Sequence, residues 1–97
     1  MTPDITSAEY IEDYKIRIFF DNGKSGIVDF KRYIKCGGIF KKLENIEFFK
    51  KFSIDPEVFV IKWGNEIDIA PEEIYSEATG EPLPSWMSYE KGYRKAL

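Results

Sequence analysis

A chain of 97 residues, 43% hydrophobic and 32% charged, has the composition of one folded domain rather than a disordered segment. That length buries roughly 60–65% of the unfolded surface, enough for one core without a metal or disulfide staple. With 14 basic and 17 acidic residues, a net charge of −3 and no histidine, the chain lacks the basic footprint of a nucleic-acid binder, the usual general base and the commonest zinc-ligand partner.

The single cysteine permits no internal disulfide and suits a reducing compartment. The opening MTPDITSAEY has neither the basic nor the apolar stretch of a signal peptide. No apolar run approaches the roughly 18 residues of a membrane helix. The expectation is a cytoplasmic protein that uses no membrane and no cofactor.

Asp4–Tyr10 reads as a first strand. From Tyr14, the residues Tyr14, Ile16, Ile18 and Phe20 alternate with Lys15, Arg17 and Phe19, a period of two that marks a strand with one buried face. Gly26, Val28 and Phe30 continue the alternation beyond FDNGKS. Two glycines three residues apart raise a question: a phosphate cradle or a hairpin corner? A two-residue Asn22-Gly23 turn would set Ile18 opposite Ile27 and put Val28 on the face of Arg17. A three-residue loop, Asp21-Asn22-Gly23, sets Ile16 opposite Val28 and unites the apolar residues on one face. A one-residue slip turns a whole strand over, so the pattern selects the longer loop, with Gly23 at its left-handed position. A phosphate loop would instead feed a helix N-terminus.

Cys36-Gly37-Gly38 interrupts the next stretch. Beyond it Ile39, Leu43, Ile46 and Phe49 or Phe52 recur at helical spacing, giving one bent helix or two short ones with Asn45 as a second N-cap. Phe48, Phe49 and Phe52 beside Lys41-Lys42 and Lys50-Lys51 imitate a nucleic-acid surface, but the spacing sends most of the rings inward. The reading for Cys36 is a buried or half-buried thiol without a reactive role.

A second hairpin is expected over Val58–Trp63 and Ile67–Ile69 around Gly64-Asn65. Again only an odd loop places Phe59, Ile61 and Trp63 on the face of Ile67 and Ile69. Pro71 stops the strand and opens a short helix that ends near Gly80, with Glu72 and Glu73 solvated in its favourable first turn. The fold class is therefore α+β: a mainly antiparallel sheet of two hairpins plus an N-terminal strand, four or five strands in all, with short helices packed on one face. Residues 1–80 form the domain and 81–97 an aromatic tail. In that tail Trp86, Tyr89 and Tyr93 follow Ser85 at helical spacing, weakened by Gly92 at a cost of about 1 kcal/mol. These three rings are the candidate partner-binding residues, because aromatics concentrate in interface hot spots.

At the second hairpin the ordered set Tyr14, Phe20, Gly23, Val28, Asp29, Phe30, Gly38, Phe40, Leu43, Trp63, Asn65, Asp68, Ile69, Pro71 and Tyr75 resembles the bacterial domain of unknown function family 2442 over roughly residues 5 to 76. Gly23, Trp63, Asn65, Asp68 and Pro71 are its structural turn and motif positions, with Asp68 read as fixing the second turn or the following helix start. Glu66 stands where the family has a turn glycine, so this turn should differ in shape. The resemblance implies a small α+β domain with no established activity. Some relatives look fused to a helix-turn-helix region, and some are encoded beside a small family suspected of toxin activity, which implies an antitoxin-like role. With only the short tail after Gly80, direct operator binding through such a module is not expected here.

The resulting expectation is a non-enzymatic module that binds a protein partner or itself through a sheet edge or the aromatic tail. The alternatives are a small-ligand domain with a pocket between the sheet and the segment around Gly37-Gly38 and, last, a hydrolytic or metal-dependent enzyme built on acidic residues.

Overall fold

A computed structural model describes residues 3–81 of the chain. Trp86, Tyr89 and Tyr93 lie outside the described residues.

Strands β1 (Ile5–Glu12), β2 (Lys15–Phe20) and β3 (Ser25–Asp29) form one antiparallel sheet in that order. The odd-loop register holds: Ile16 pairs with Val28 and Ile18 with Gly26. At the corner, the Phe20 amide donates to Lys24 O at 3.0 Å and the Gly23 amide to Phe20 O at 3.1 Å, with Gly23 at φ 87°. Positive φ is the conformation that glycine enters without a Cβ penalty. Ile16, Ile18, Phe20 and Val28 are buried on the inner face, while Ile27 on the outer face is exposed.

Helix α1 (Lys31–Lys35) follows at once, its first amide accepted by the Asp29 carboxylate (Lys31 N to Oδ1, 3.0 Å). After the glycines come a 3-10 helix (Gly38–Glu44) and α2 (Ile46–Phe49), so the two short helices of the sequence reading are present. Asn45 Oδ1 accepts the amides of Glu47 at 3.0 Å and Phe48 at 3.3 Å, the N-cap geometry that satisfies orphan helix donors.

The second hairpin lies in a separate three-stranded sheet, β4 (Ser53–Ile54), β5 (Ile61–Trp63) and β6 (Ile67–Asp68), instead of extending the first. Trp63 pairs with Ile67 across Gly64-Asn65-Glu66, again an odd loop, and Ile61, Trp63, Ile67 and Ile69 are buried together. The positive φ has moved to Gly64 (61°), and Glu66 is spared it, which is the altered turn that the sequence implied.

One expectation fails here. Val58 and Phe59 are not in the strand, and Phe59 does not share the inner face. Asp55 Oδ1 accepts the amides of Glu57 (2.8 Å) and Val58 (3.2 Å), and the Phe59 amide returns to Asp55 O at 2.9 Å. This local turn competes with the strand, leaves Phe59 at φ 57° and exposes both side chains.

Helix α3 (Pro71–Thr79) has Pro71 in its first turn and ends on Gly80 at φ 82°. It crosses the inner face of the first sheet directly above Gly26, where an added Cβ would lie 1.9 Å from Ala78 O. Phe30 joins the layers, with ring centroids 5.7 Å from Phe49 and 5.6 Å from Trp63. Trp63 Nε1–H donates to Phe49 O at 2.8 Å, so the largest core ring also has its polar atom satisfied.

Candidate partner-binding edge

The first hairpin corner is a clasp. Asn22 Oδ1 accepts the Lys24 amide at 3.0 Å, and Asn22 Nδ2 donates to Tyr75 Oη of α3 at 3.2 Å. Lys24 Nζ pairs with the Glu81 carboxylate, which also accepts from Tyr75 Oη at 3.3 Å. Glu81 holds the Lys24 ammonium above its ordinary pKa, and Lys24 holds the Glu81 carboxyl below its own. The Gly23 and Lys24 amides serve the turn, the Asp21 amide donates to Asp4 O at 2.9 Å, and the Asn22 Nδ2 and Lys24 Nζ groups reach α3 and Glu81 beyond it.

The sheet edges differ. On β1, register shifts between Ile5 and Ser7 and between Tyr10 and Glu12 mark bulges, which blunt an edge against pairing. Strand β3 has no such shift. Its bonds to β2 fall at Phe20–Lys24 and Tyr14–Phe30, so antiparallel alternation turns the N–H and C=O groups of Ser25, Ile27 and Asp29 away from β2. Among the described residues no strand pairs with that side. Ile27 is 44% exposed there.

Above this edge lies α3. Ile74 is buried beneath the helix, and Tyr75 leans toward β2, its ring centroid 4.9 Å from Phe20. Glu73 and Glu77 therefore occupy the opposite flank, since successive residues turn by about 100°. Arg32 of α1 meets that flank in an ion pair with Glu77, and its guanidinium stands 5.4 Å from the centroid of the Tyr33 ring. Glu73, expected in solvent, is 6% exposed, and its Oε2 has no hydrogen-bond partner among the described residues. Burial raises the Glu73 pKa, and Glu77 and Glu72 add to the shift while Arg32 opposes it. The Tyr33 hydroxyl is likewise buried with no hydrogen-bond partner among the described residues, and burial, reinforced by Glu73, holds it protonated far above the ordinary tyrosine range.

The predicted motif residues are scattered. Gly23 is in the clasp, Trp63 in the core and Pro71 at the α3 start, while Asn65 and Asp68 line a small groove of about 160 Å³ with Asp55 and Lys62. Asp68 makes no side-chain hydrogen bond to the turn or to the helix start among the described residues, so its expected fixing role is not seen; it stands opposite Lys62 in the register. Lys62 reaches Asp55 Oδ2 at 3.2 Å instead. The Asp55 carboxyl is held below its ordinary range, first by the Glu57 and Val58 amides and then by Lys62. A second, open groove of about 400 Å³ is lined by Lys41, Lys42, Glu44, Asn45 and Phe48, and neither groove includes Gly37 or Gly38. Cys36 is exposed, contrary to the buried or half-buried thiol expected, because the α1 terminus faces solvent and the thiol finds only Arg32 O at 3.2 Å. Among the described residues no three acidic or cysteine side chains converge to hold a metal ion, and no helix is long and apolar enough to cross a membrane.

A family model described as a protein of unknown function, DUF2442, matches residues 5–80. The chain belongs to that family. This chain is also similar in fold to a solved structure, NE0471 from Nitrosomonas europaea ATCC 19718, which is named a "putative DNA binding protein". The two superpose with a TM-score of 0.71 at 18% identity, over 80% of this chain and 50% of that one, so this chain spans half the neighbour's length. The likeness is one of fold. No curated protein matches this chain.

The β3 edge was missed by sequence reasoning because strand order decides which strand is outermost. The alternation of Gly26, Val28 and Phe30 locates the strand but not its neighbours.

Proposed function

We propose that this DUF2442 domain is a non-enzymatic interaction module that takes up an extended segment of a partner protein as a fourth strand beside β3. The observation that supports this reading is the row of outward backbone groups at Ser25, Ile27 and Asp29, unbulged and unpaired among the described residues, with an exposed isoleucine at its centre. Main-chain hydrogen bonds give such additions their affinity, and alternate side chains give them selectivity. The clasp at Asn22, Lys24, Tyr75 and Glu81 holds the corner that fixes the edge.

The test is peptide display against the full chain and its Ile27→Pro variant. Proline at this position removes an outward N–H and leaves the bonds to β2 in place. Enrichment of strand-forming peptides that lose binding to the variant, whose fold is checked by circular dichroism, is expected. Absence of any such peptide overturns the reading.

A nucleic-acid role is the competing reading and draws on the name of NE0471 alone. The net charge of −3 and an α3 that carries Glu72, Glu73 and Glu77 with no basic residue run against it. Salt-sensitive binding to mixed-sequence duplex DNA, read by fluorescence anisotropy, would favour it over strand addition.

A further inference from the structure

We infer that the β3 edge selects a basic, alternating segment, one whose outward side chains are apolar beside Ile27 and whose inward side chains are lysine or arginine beneath the Glu73–Glu77 flank of α3. This inference rests on the strand-addition reading and gives the partner its chemistry.

Two independent features lead to it. The first is the geometry of the overhang. A strand added to β3 continues the pleat, so its residues alternate between the outer face, which carries Ile27 and its register partner Arg17, and the inner face beneath α3. The Tyr75 flank of the helix is taken up by Phe20, Asn22 and Glu81, which leaves Glu73 and Glu77 on the side of the added strand.

The second is the charge on that flank. Glu77, whose side chain is 30% exposed, is the accessible carboxylate, and Glu73 stands one turn behind it with a buried Oε2 lacking a hydrogen-bond donor among the described residues. Arg32 pairs with Glu77 and also acts on Glu73, so one guanidinium answers two carboxylates. α3 itself contributes no cation. An arriving ammonium or guanidinium meets the partly exposed Glu77 carboxylate with the buried Glu73 carboxylate one turn behind it, whereas an arriving carboxylate meets repulsion in a partly desolvated site. Discrimination of this kind sets partner choice as much as affinity.

The experiment titrates three labelled, end-capped peptides into the full chain: alternating Lys-Val, alternating Glu-Val, and a block peptide with the Lys-Val composition but four lysines followed by four valines. Anisotropy gives affinity, and amide hydrogen exchange at Ser25 and Ile27 shows where the peptide sits. The Lys-Val peptide is expected to bind at least tenfold more tightly than the other two and to protect both amides. Glu73→Gln, which keeps the side-chain shape, is expected to narrow the gap between Lys-Val and Glu-Val by threefold or more. If both alternating peptides protect Ile27 equally and Glu73→Gln changes nothing, the charge rule is overturned while strand addition survives. If no peptide protects Ile27, strand addition fails and this inference with it. Equal binding of the block peptide, without protection, shows diffuse electrostatic attraction and overturns the inference.

Discussion

Gly26→Ala places a single methyl group where α3 rests on the sheet. The new Cβ would lie 1.9 Å from Ala78 O and 2.6 Å from Ala78 C, whereas real contacts stay beyond 3.0 Å, so the helix must rise by about 1 Å. Backbone cannot step aside as a flexible side chain can. Gly26 is not at positive φ, so alanine itself adopts the strand conformation, and replacing glycine there returns roughly 0.5–1 kcal/mol of unfolded-state entropy. Overpacking against this gain costs about 1–3 kcal/mol or more, and lifting α3 also loosens Ile74 and the Tyr75–Phe20 contact. Because the clash is with backbone, the overpacking cost lies at or above the top of that range, and with the loosened contacts added the net after the entropy gain is about 2–4 kcal/mol of destabilisation. At roughly 4–8 °C per kcal/mol for a domain of this size, that corresponds to a melting temperature lower by about 10–25 °C. Thermal unfolding followed by circular dichroism measures it. Gly23→Ala is the matched control: nothing lies within 4 Å of its Cβ, and only the positive φ is penalised, by about 1–2 kcal/mol. A Gly26→Ala protein that melts within about 3 °C of wild type, or above Gly23→Ala, would refute direct seating of the helix on the strand.

Three further outcomes are expected. Asn45→Ala removes the acceptor for two α2 amides and should cost about 1 kcal/mol in urea denaturation, with Asn45→Asp retaining most of the stability. Glu73→Gln should be as stable as wild type or more so at pH 7. A raised folded-state pKa means that the unfolded chain releases this proton first, so the native state loses stability as pH rises from the unfolded value through the folded one. The advantage of Glu73→Gln should therefore shrink as pH falls to 4, and an advantage that grows on acidification would contradict the assignment. Asp55 has the opposite sign: its depressed pKa contributes stability above the ordinary carboxylate value that is lost as pH falls through the folded value. Asp55→Ala should abolish that part of the acid sensitivity in pH-dependent melting curves.

What the sequence reveals and what it hides divide along a physical line. Period-two alternation and loop parity depend on neighbours in the chain, so the registers Ile16–Val28 and Trp63–Ile67 were both legible, as were the Asn45 cap and the α3 boundaries at Pro71 and Gly80. The apolar run Val58–Ile61 misled for an equally local reason. Asp55-Pro56 begins a turn whose carboxylate takes two amides before the strand can form, and the aspartate-proline pair was the available signal. Glu73 and Gly26 belong to a different class. Nothing within several residues of Glu73 distinguishes it from Glu72; it is buried because α1 brings Arg32 and Tyr33 against its flank. Gly26 resembles any strand residue until a helix about fifty positions later settles on it. The β3 edge is nonlocal in the same sense, since an edge is defined by which strand is not beside it. In this domain the features that shape recognition come from how α3 lies across β3. Substitutions that move the helix without touching the strand, Gly26→Ala among them, should therefore weaken peptide uptake along with stability, whereas Asn45→Ala, in a helix remote from that edge in the contact pattern, should lower stability and leave uptake by the folded protein unchanged.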